Sequence, residues 1–159
     1  MIRDRLPRDL GPLVDVLRLL EHPGPGWSDA RRRSWLTAGP PDVAWVFDQA
    51  PVSVTPTDNV AGQVRLRRPA RTSSGDDPWL LDQFVVRPGD HEVGIARFLL
   101  REAVRHVTDR DGRLVVDVDS CRLSSTDPMS LLERRGFIRP DGSAYALGPL
   151  APPDRSADK

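Results

Sequence analysis

Between Asp9 and Glu21 the apolar residues Leu10, Leu13, Val14, Val16, Leu17, Leu19 and Leu20 cover one broad face of a helix, and Pro12 is tolerated in its first turn. His22 to Trp27 is rich in Gly and Pro and predicts a loop, after which Ser28 can cap a short helix running toward Leu36. Val43 to Phe47 and Val60 to Leu66 are β-rich runs joined by Pro51, Pro56, Thr57, Asp58 and Asn59, which predicts an antiparallel pair with a long loop. A second breaker-rich stretch, Pro69 to Pro78, leads into Trp79 to Val86. There Leu81, Phe84, Val85 and Val86 are nearly continuous, as expected for a central strand covered on both faces.

Past Pro88, Gly89 and Asp90, the segment from Gly94 to about Val107 carries Ile95, Phe98, Leu99, Ala103 and Val107 at helical spacing, with Arg97, Arg101, Glu102 and Arg105 opposite. Leu114 to Val118 reads as a second buried strand. Asp127 followed by Pro128 starts a helix that ends at Gly136, because proline suits the first helical position and glycine the residue beyond the last. Phe137 and Tyr145 to Leu147 can form a closing hairpin around Asp141 and Gly142, and the residues from Pro149 onward predict a disordered tail. The expected organisation is one α/β (α+β) domain over residues 1–148 and a tail over 149–159.

Composition narrows the function classes. A chain of 159 residues with 38% apolar content supports one ordinary core. Lys+Arg and Asp+Glu both number 23, so no net field draws nucleic acid or an anionic membrane, and neither is expected as a partner. Cys121 is the single cysteine, which leaves no intrachain disulfide and no thiolate zinc cage. Charged residues from Arg3 to Arg18 interrupt any signal-peptide core, and no apolar run is long enough to span a bilayer, so a cytoplasmic location is expected.

Chemistry concentrates between Phe84 and Ala96. Where a strand turns into a helix beside a glycine, several backbone N–H groups lack intrahelical acceptors and converge, reinforced by the helix dipole, on a spot suited to a diphosphate. The loop lacks the Lys-Ser/Thr ending of a nucleotide-binding P-loop. Val86, Pro88, Gly94 and Ala96 stand where the acyl-CoA-binding motif of the GNAT superfamily has its strand-end Val, its Pro and its Gly-x-Gly/Ala; His91 takes the place of the usual Arg or Gln. Leu131-Leu132-Glu133-Arg134-Arg135-Gly136-Phe137 resembles the family's Leu-Tyr-Glu-x-x-Gly-Phe block. The resemblance extends from about Ile2 to Leu147.

That resemblance implies a mixed, mostly antiparallel sheet, splayed at its central strands and flanked by helices. It implies acetyl-CoA as acyl donor and a primary amine, on a small molecule or a protein, as acceptor. No metal is needed, and a homodimer is compatible with it. The pantetheine arm would lie in the opening between the strand ending at Val86 and the strand Leu114 to Val118, bonded by backbone groups of Phe84, Val85 and Val86. The N–H groups of His91, Val93, Gly94, Ile95 and Ala96 would hold the diphosphate.

For the proton acceptor, Asp82 is the candidate, placed by even spacing on one face with Phe84 and Val86. The alternative is a hydrogen-bonded structural carboxylate. Leu132 stands where the family has its proton-donating Tyr, and Tyr145 is a substitute phenol. Ser125 aligns with the family's pantetheine-bonding Asn, while a Ser/Thr run before a helix is as often its cap. Trp27, Trp35, Arg31, Arg32 and Arg33 could form an aromatic and cationic mouth, against the reading of a solvated surface helix. Leu132 keeps a second function open, a CoA-binding or regulatory module with weak or no turnover.

Overall fold

The computed structural model describes residues 1–39, 41–68, 78–140 and 143–148. Six strands form one sheet in chain order: β1 (Ile2–Asp4), β2 (Val43–Asp48), β3 (Val60–Arg67), β4 (Trp79–Val86), β5 (Leu114–Asp117) and β6 (Tyr145–Leu147). Every neighbouring pair is antiparallel except β4 and β5. A parallel pair needs a crossover, and α3 (Glu92–Thr108) supplies it.

The two faces of the sheet are covered by different helices. Leu13, Val14, Val16, Leu17 and Leu20 of α1 (Leu10–Leu20) and Leu36 of α2 (Asp29–Thr37) pack with Val46, Val60 and Val85. Ile95, Ala96, Leu99, Leu100, Ala103 and Val107 of α3 join Trp45, Val64, Leu81, Phe84 and Val86 in a larger cluster. Leu131 and Leu132 of α4 (Pro128–Glu133) belong to it as well. Phe98, expected on the buried face of α3, is 53% exposed and stacks on Phe47 with 6.3 Å between ring centroids.

The expected helices and strands are present with small shifts of boundary. α3 begins at Glu92 rather than Gly94, β5 ends at Asp117, and α4 ends at Glu133 before the left-handed Gly136. β1 was not expected. Its pairing to β2 is secured by Arg3, whose guanidinium donates to both Asp9 oxygens at 2.8 Å and to Asp48 at 3.1 Å. β6 closes the sheet against β5 and also pairs with Ile138, whereas the expected turn residues Asp141 and Gly142, like the tail from Pro149, lie outside the described residues.

β4 contains the irregularity that shapes the rest. Opposite β3, Gln63 pairs with Val85 but Arg65 pairs with Asp82, so three steps on β4 match two on β3, and Gln83 takes the left-handed φ of 48° at the bulge. Gln63 and Arg65 share a face, and so therefore do their partners Val85 and Asp82. This corrects the expectation that Asp82 faces with Phe84 and Val86: the extra residue reverses the alternation, and Asp82 turns toward the α1 and α2 side.

Candidate active site

β4 and β5 run side by side from Trp79 to Leu81 and then part at the bulge. The opening is short. After β5 the chain makes one tight turn through Val118–Ser120 and returns to β4, where Val85 and Arg122 form a parallel bridge and the Arg122 N–H donates to the Phe84 carbonyl at 2.9 Å. Ser120 Oγ accepts from the Gln83 N–H at 3.1 Å inside the gap. The strand-like position beside Phe84, where the sequence places a pantetheine arm, is thus taken by the chain's own Cys121 and Arg122. Phe84, Val85 and Val86 are fully buried.

The same segment is tied to the start of α3. The Glu92 carboxylate accepts the N–H of Ser124 at 3.0 Å, the N–H of Ser125 at 2.9 Å and the Ser125 hydroxyl at 2.9 Å; the Ser124 hydroxyl is a further donor. Burial pushes the Glu92 carboxyl upward, yet these bonds together hold it below the ordinary carboxylate range. Ser125, expected beside the pantetheine, bonds Glu92 through both its N–H and its hydroxyl. A carboxylate turned inward and satisfied in this way does not face the outer side of the helix start.

On that outer side, His91 precedes α3 without a side-chain cap bond and is exposed, and the Glu92 N–H reaches the Gly89 carbonyl at 3.2 Å. Because the helix begins at Glu92, the Ile95 N–H is already committed to the His91 carbonyl at 2.9 Å, and Ala96 lies within the intrahelical ladder. Neither is free for an anion as the sequence reading expected. The Val93 and Gly94 N–H groups find no backbone acceptor among the described residues. Gly94 is exposed, and a Cβ placed on it would meet nothing within 4 Å. No packing inside the chain demands a glycine there.

Asp82 is a buried ion-pair partner. Arg65 Nε and Nη2 donate to its two oxygens at 2.7 and 2.8 Å, and Arg67 adds a bond at 2.9 Å. Arg65 also donates to the Ala38 carbonyl at 2.6 Å, fastening the end of α2 to the sheet. Gln83 continues this layer: it accepts from Gln63 at 3.1 Å and donates to the Trp35 carbonyl at 2.6 Å. With both oxygens occupied by guanidinium groups, Asp82 is a structural anchor.

The remaining candidates separate cleanly. Leu132 is fully buried in the core and Tyr145 is 47% exposed on β6 opposite Asp117. Burial and the Asp117 carboxylate push the Cys121 thiol well above its usual range, which leaves no thiolate for acyl transfer. Arg31 stacks over Trp27 at 3.7 Å. Arg32 is buried and donates to the carbonyls of His22, Trp27 and Gly24, so it holds the α1–α2 loop rather than lining a mouth.

A residue the sequence reading passed over stands at the centre of that loop. α1 ends with Glu21 in the left-handed conformation, where the Glu21 and His22 N–H groups return to Arg18 and Leu17, and this turn directs His22 inward. His22 borders a cavity of about 600 Å³ together with Asp119, Arg122, Ser124, Ser125 and Arg139. Burial, assisted by the Arg122 charge, lowers the imidazole to about 4 despite the opposing effect of the Ser120 backbone. A larger groove of about 950 Å³ follows α1, but its Arg8 and Arg18 are already paired with Asp58 and with Asp15 and Asp29. Among the described residues, no group of three or more metal-ligating side chains converges and no helix is long and apolar enough to cross a membrane.

Comparison with known proteins supports the architecture. No protein-family model matches the sequence, and no curated protein matches it significantly. Solved structures do. An aminoglycoside 6'-acetyltransferase type Ii superposes with a TM-score of 0.61 at 20% identity, over 92% of this chain and 93% of the other. A GNAT family acetyltransferase from Brucella melitensis, in complex with acetyl-CoA, gives 0.59 at 17% identity over 96% and 90%. The GNAT family N-acetyltransferase YhbS from Escherichia coli, in complex with CoA, gives 0.63 at 19% over 95% and 81%. The fold is that of the GNAT acetyltransferases, as the sequence resemblance implied.

Proposed function

We propose that this chain is an acyl-CoA-dependent N-acyltransferase that moves an acetyl group from acetyl-CoA to a primary amine. The observation that carries the reading is the start of α3. Two uncommitted N–H groups, at Val93 and Gly94, sit at the positive end of a 17-residue helix that follows the bulged central strand, and the space above Gly94 is open. An anion can approach Gly94 closely there, since even a Cβ added at that residue would meet nothing within 4 Å. The CoA and acetyl-CoA complexes of the Escherichia coli and Brucella melitensis proteins, which share the fold, agree with this choice of donor.

Calorimetric titration of acetyl-CoA into the protein and into Gly94→Glu tests it. A Cβ at this exposed position meets nothing within 4 Å, so the variant should fold. Its carboxylate would occupy the anion position. Binding by the parent and loss in the folded variant is the expected result; a folded parent that binds no acetyl-CoA removes the acyltransferase reading.

A second reading has its own observation. The Phe84 carbonyl already accepts from Arg122, and Leu132, at the place of the family's phenol, is packed in the core. Both favour a CoA-binding module with slow or no turnover. Release of free thiol from acetyl-CoA in the presence of a panel of amines separates the two: binding without release supports the module.

A further inference from the structure

Among the described residues, two buried side-chain polar atoms have no hydrogen-bond partner, His22 Nε2 and Trp79 Nε1. Of the two residues, His22 lines a cavity described here. His22 retains 6% of its exposure, and its ring packs edge-on to the Trp35 indole at 5.2 Å and 87°. In the tautomer that carries its proton on Nδ1, Nε2 presents a lone pair and no proton. A buried acceptor left without a donor costs free energy, so a donor-bearing molecule in that cavity satisfies a group the chain itself does not.

The position joins this nitrogen to the parted strands. Ser120, against the imidazole, accepts from Gln83 at the bulge, and Arg122, two residues on, reaches Phe84. Ser124 and Ser125 line the same cavity and bind the first residue of α3. One short segment therefore borders the cavity on one side and the opening in β4 on the other. Arg122 and Arg139 are matched in the same lining by Asp119 and Asp127, so the cavity has no net charge that would select an ammonium over an uncharged amine.

We infer that the cavity beneath His22 is the acceptor site, and that His22 Nε2 accepts a hydrogen bond from the N–H of a neutral primary amine, holding its lone pair for attack. This inference rests on the acyl-transfer reading. In the step it serves, the amine nitrogen forms a bond to the thioester carbonyl carbon and the carbon–sulfur bond breaks with its electron pair on sulfur. The proton held toward His22 leaves nitrogen and passes through solvent to the thiolate, giving an amide and free CoA. His22 is unchanged at the end.

The test compares the parent with His22→Phe, which keeps the ring against Trp35 but removes the acceptor, and His22→Gln, which restores one. With an amine that the parent acetylates, His22→Phe should raise KM for the amine about tenfold, the loss of one buried hydrogen bond. Affinity for acetyl-CoA should stay as in the parent, and His22→Gln should recover most of the loss. An unchanged amine KM in folded His22→Phe overturns the inference. If the parent acetylates no amine, acyl transfer falls separately. Histidine-labelled nitrogen NMR at neutral pH with 2,2,2-trifluoroethylamine, a primary amine that is uncharged there, then decides the cavity alone: a shift of the His22 Nε2 resonance supports it as an amine site, and no shift overturns it.

Discussion

Arg65 and Asp82 meet side by side across β3 and β4, two guanidinium nitrogens on two carboxylate oxygens at 2.7 and 2.8 Å, with both side chains only 4% exposed. A buried charge is tolerated because its partner is buried with it. Replacing Asp82 by Ala strands the Arg65 charge and should cost about 3–5 kcal/mol in urea unfolding. Asp82→Asn, nearly isosteric, should lower stability while acetyl transfer per folded molecule persists. Abolished transfer in a well-folded Asp82→Asn would restore that carboxylate as the base.

Glu92 joins α3 to Ser124 and Ser125. Glu92→Ala removes a charged acceptor from four donors and should destabilise by about 1–3 kcal/mol, tempered because both serines can turn to water. Amide hydrogen exchange at Ser124 and Ser125 should accelerate while exchange in β3 stays slow. Unchanged protection of the two serines would show that Glu92 does not hold this segment.

His22 gives stability a pH dependence with a definite sign. Its folded value is lowered to about 4 from the usual 6.5, chiefly by burial, so between those values the unfolded chain binds a proton that the folded chain refuses. The contribution is complete above the unfolded value and is lost as pH falls toward 4. Thermal unfolding should therefore drop more steeply from pH 7 to pH 5 in the parent than in His22→Phe. Asp48, held at about 2 by Thr57, Ala50 and Arg3 against the opposing effect of burial, loses its contribution in a separate window below the ordinary Asp value of 3.8.

Leu132→Tyr, which supplies the phenol that the family resemblance calls for, should not create a proton donor. Leu132 has no exposed surface, and a larger side chain with a hydroxyl overpacks the core at a cost of about 1–3 kcal/mol. Faster thiol release in that variant would show that the side chain reaches the reacting sulfur after all.

The sequence made the long periodic elements legible because their apolar faces are dictated by one helix or one sheet surface. Leu13, Val14 and Leu17, or Ile95, Leu99 and Ala103, could hardly fall elsewhere. What it obscured depends on pairing between distant segments. β1 is three residues long and carries Arg3 and Asp4, so no local pattern announces it; its partner β2 decides it. The bulge at Gln83 is invisible in an alternation count, and that one residue moved Asp82 to the other face. Gln83 next to Asp82, two polar residues in an otherwise apolar strand, was the available signal. His22 lay in a Gly/Pro-rich loop, and only the tertiary positions of Ser120, Arg122 and Trp35 give it a role.

The Arg122 contact with Phe84 sets the terms on which any extended ligand enters. A ligand amide that takes the Phe84 carbonyl exchanges one main-chain bond for another, so little enthalpy is gained at that atom and the released Arg122 N–H is returned to water. Observed affinity is then the intrinsic affinity multiplied by the fraction of molecules already unzipped. Residues that do not touch the Phe84 carbonyl, Ser124 and Ser125 among them, can tune binding there by changing that fraction.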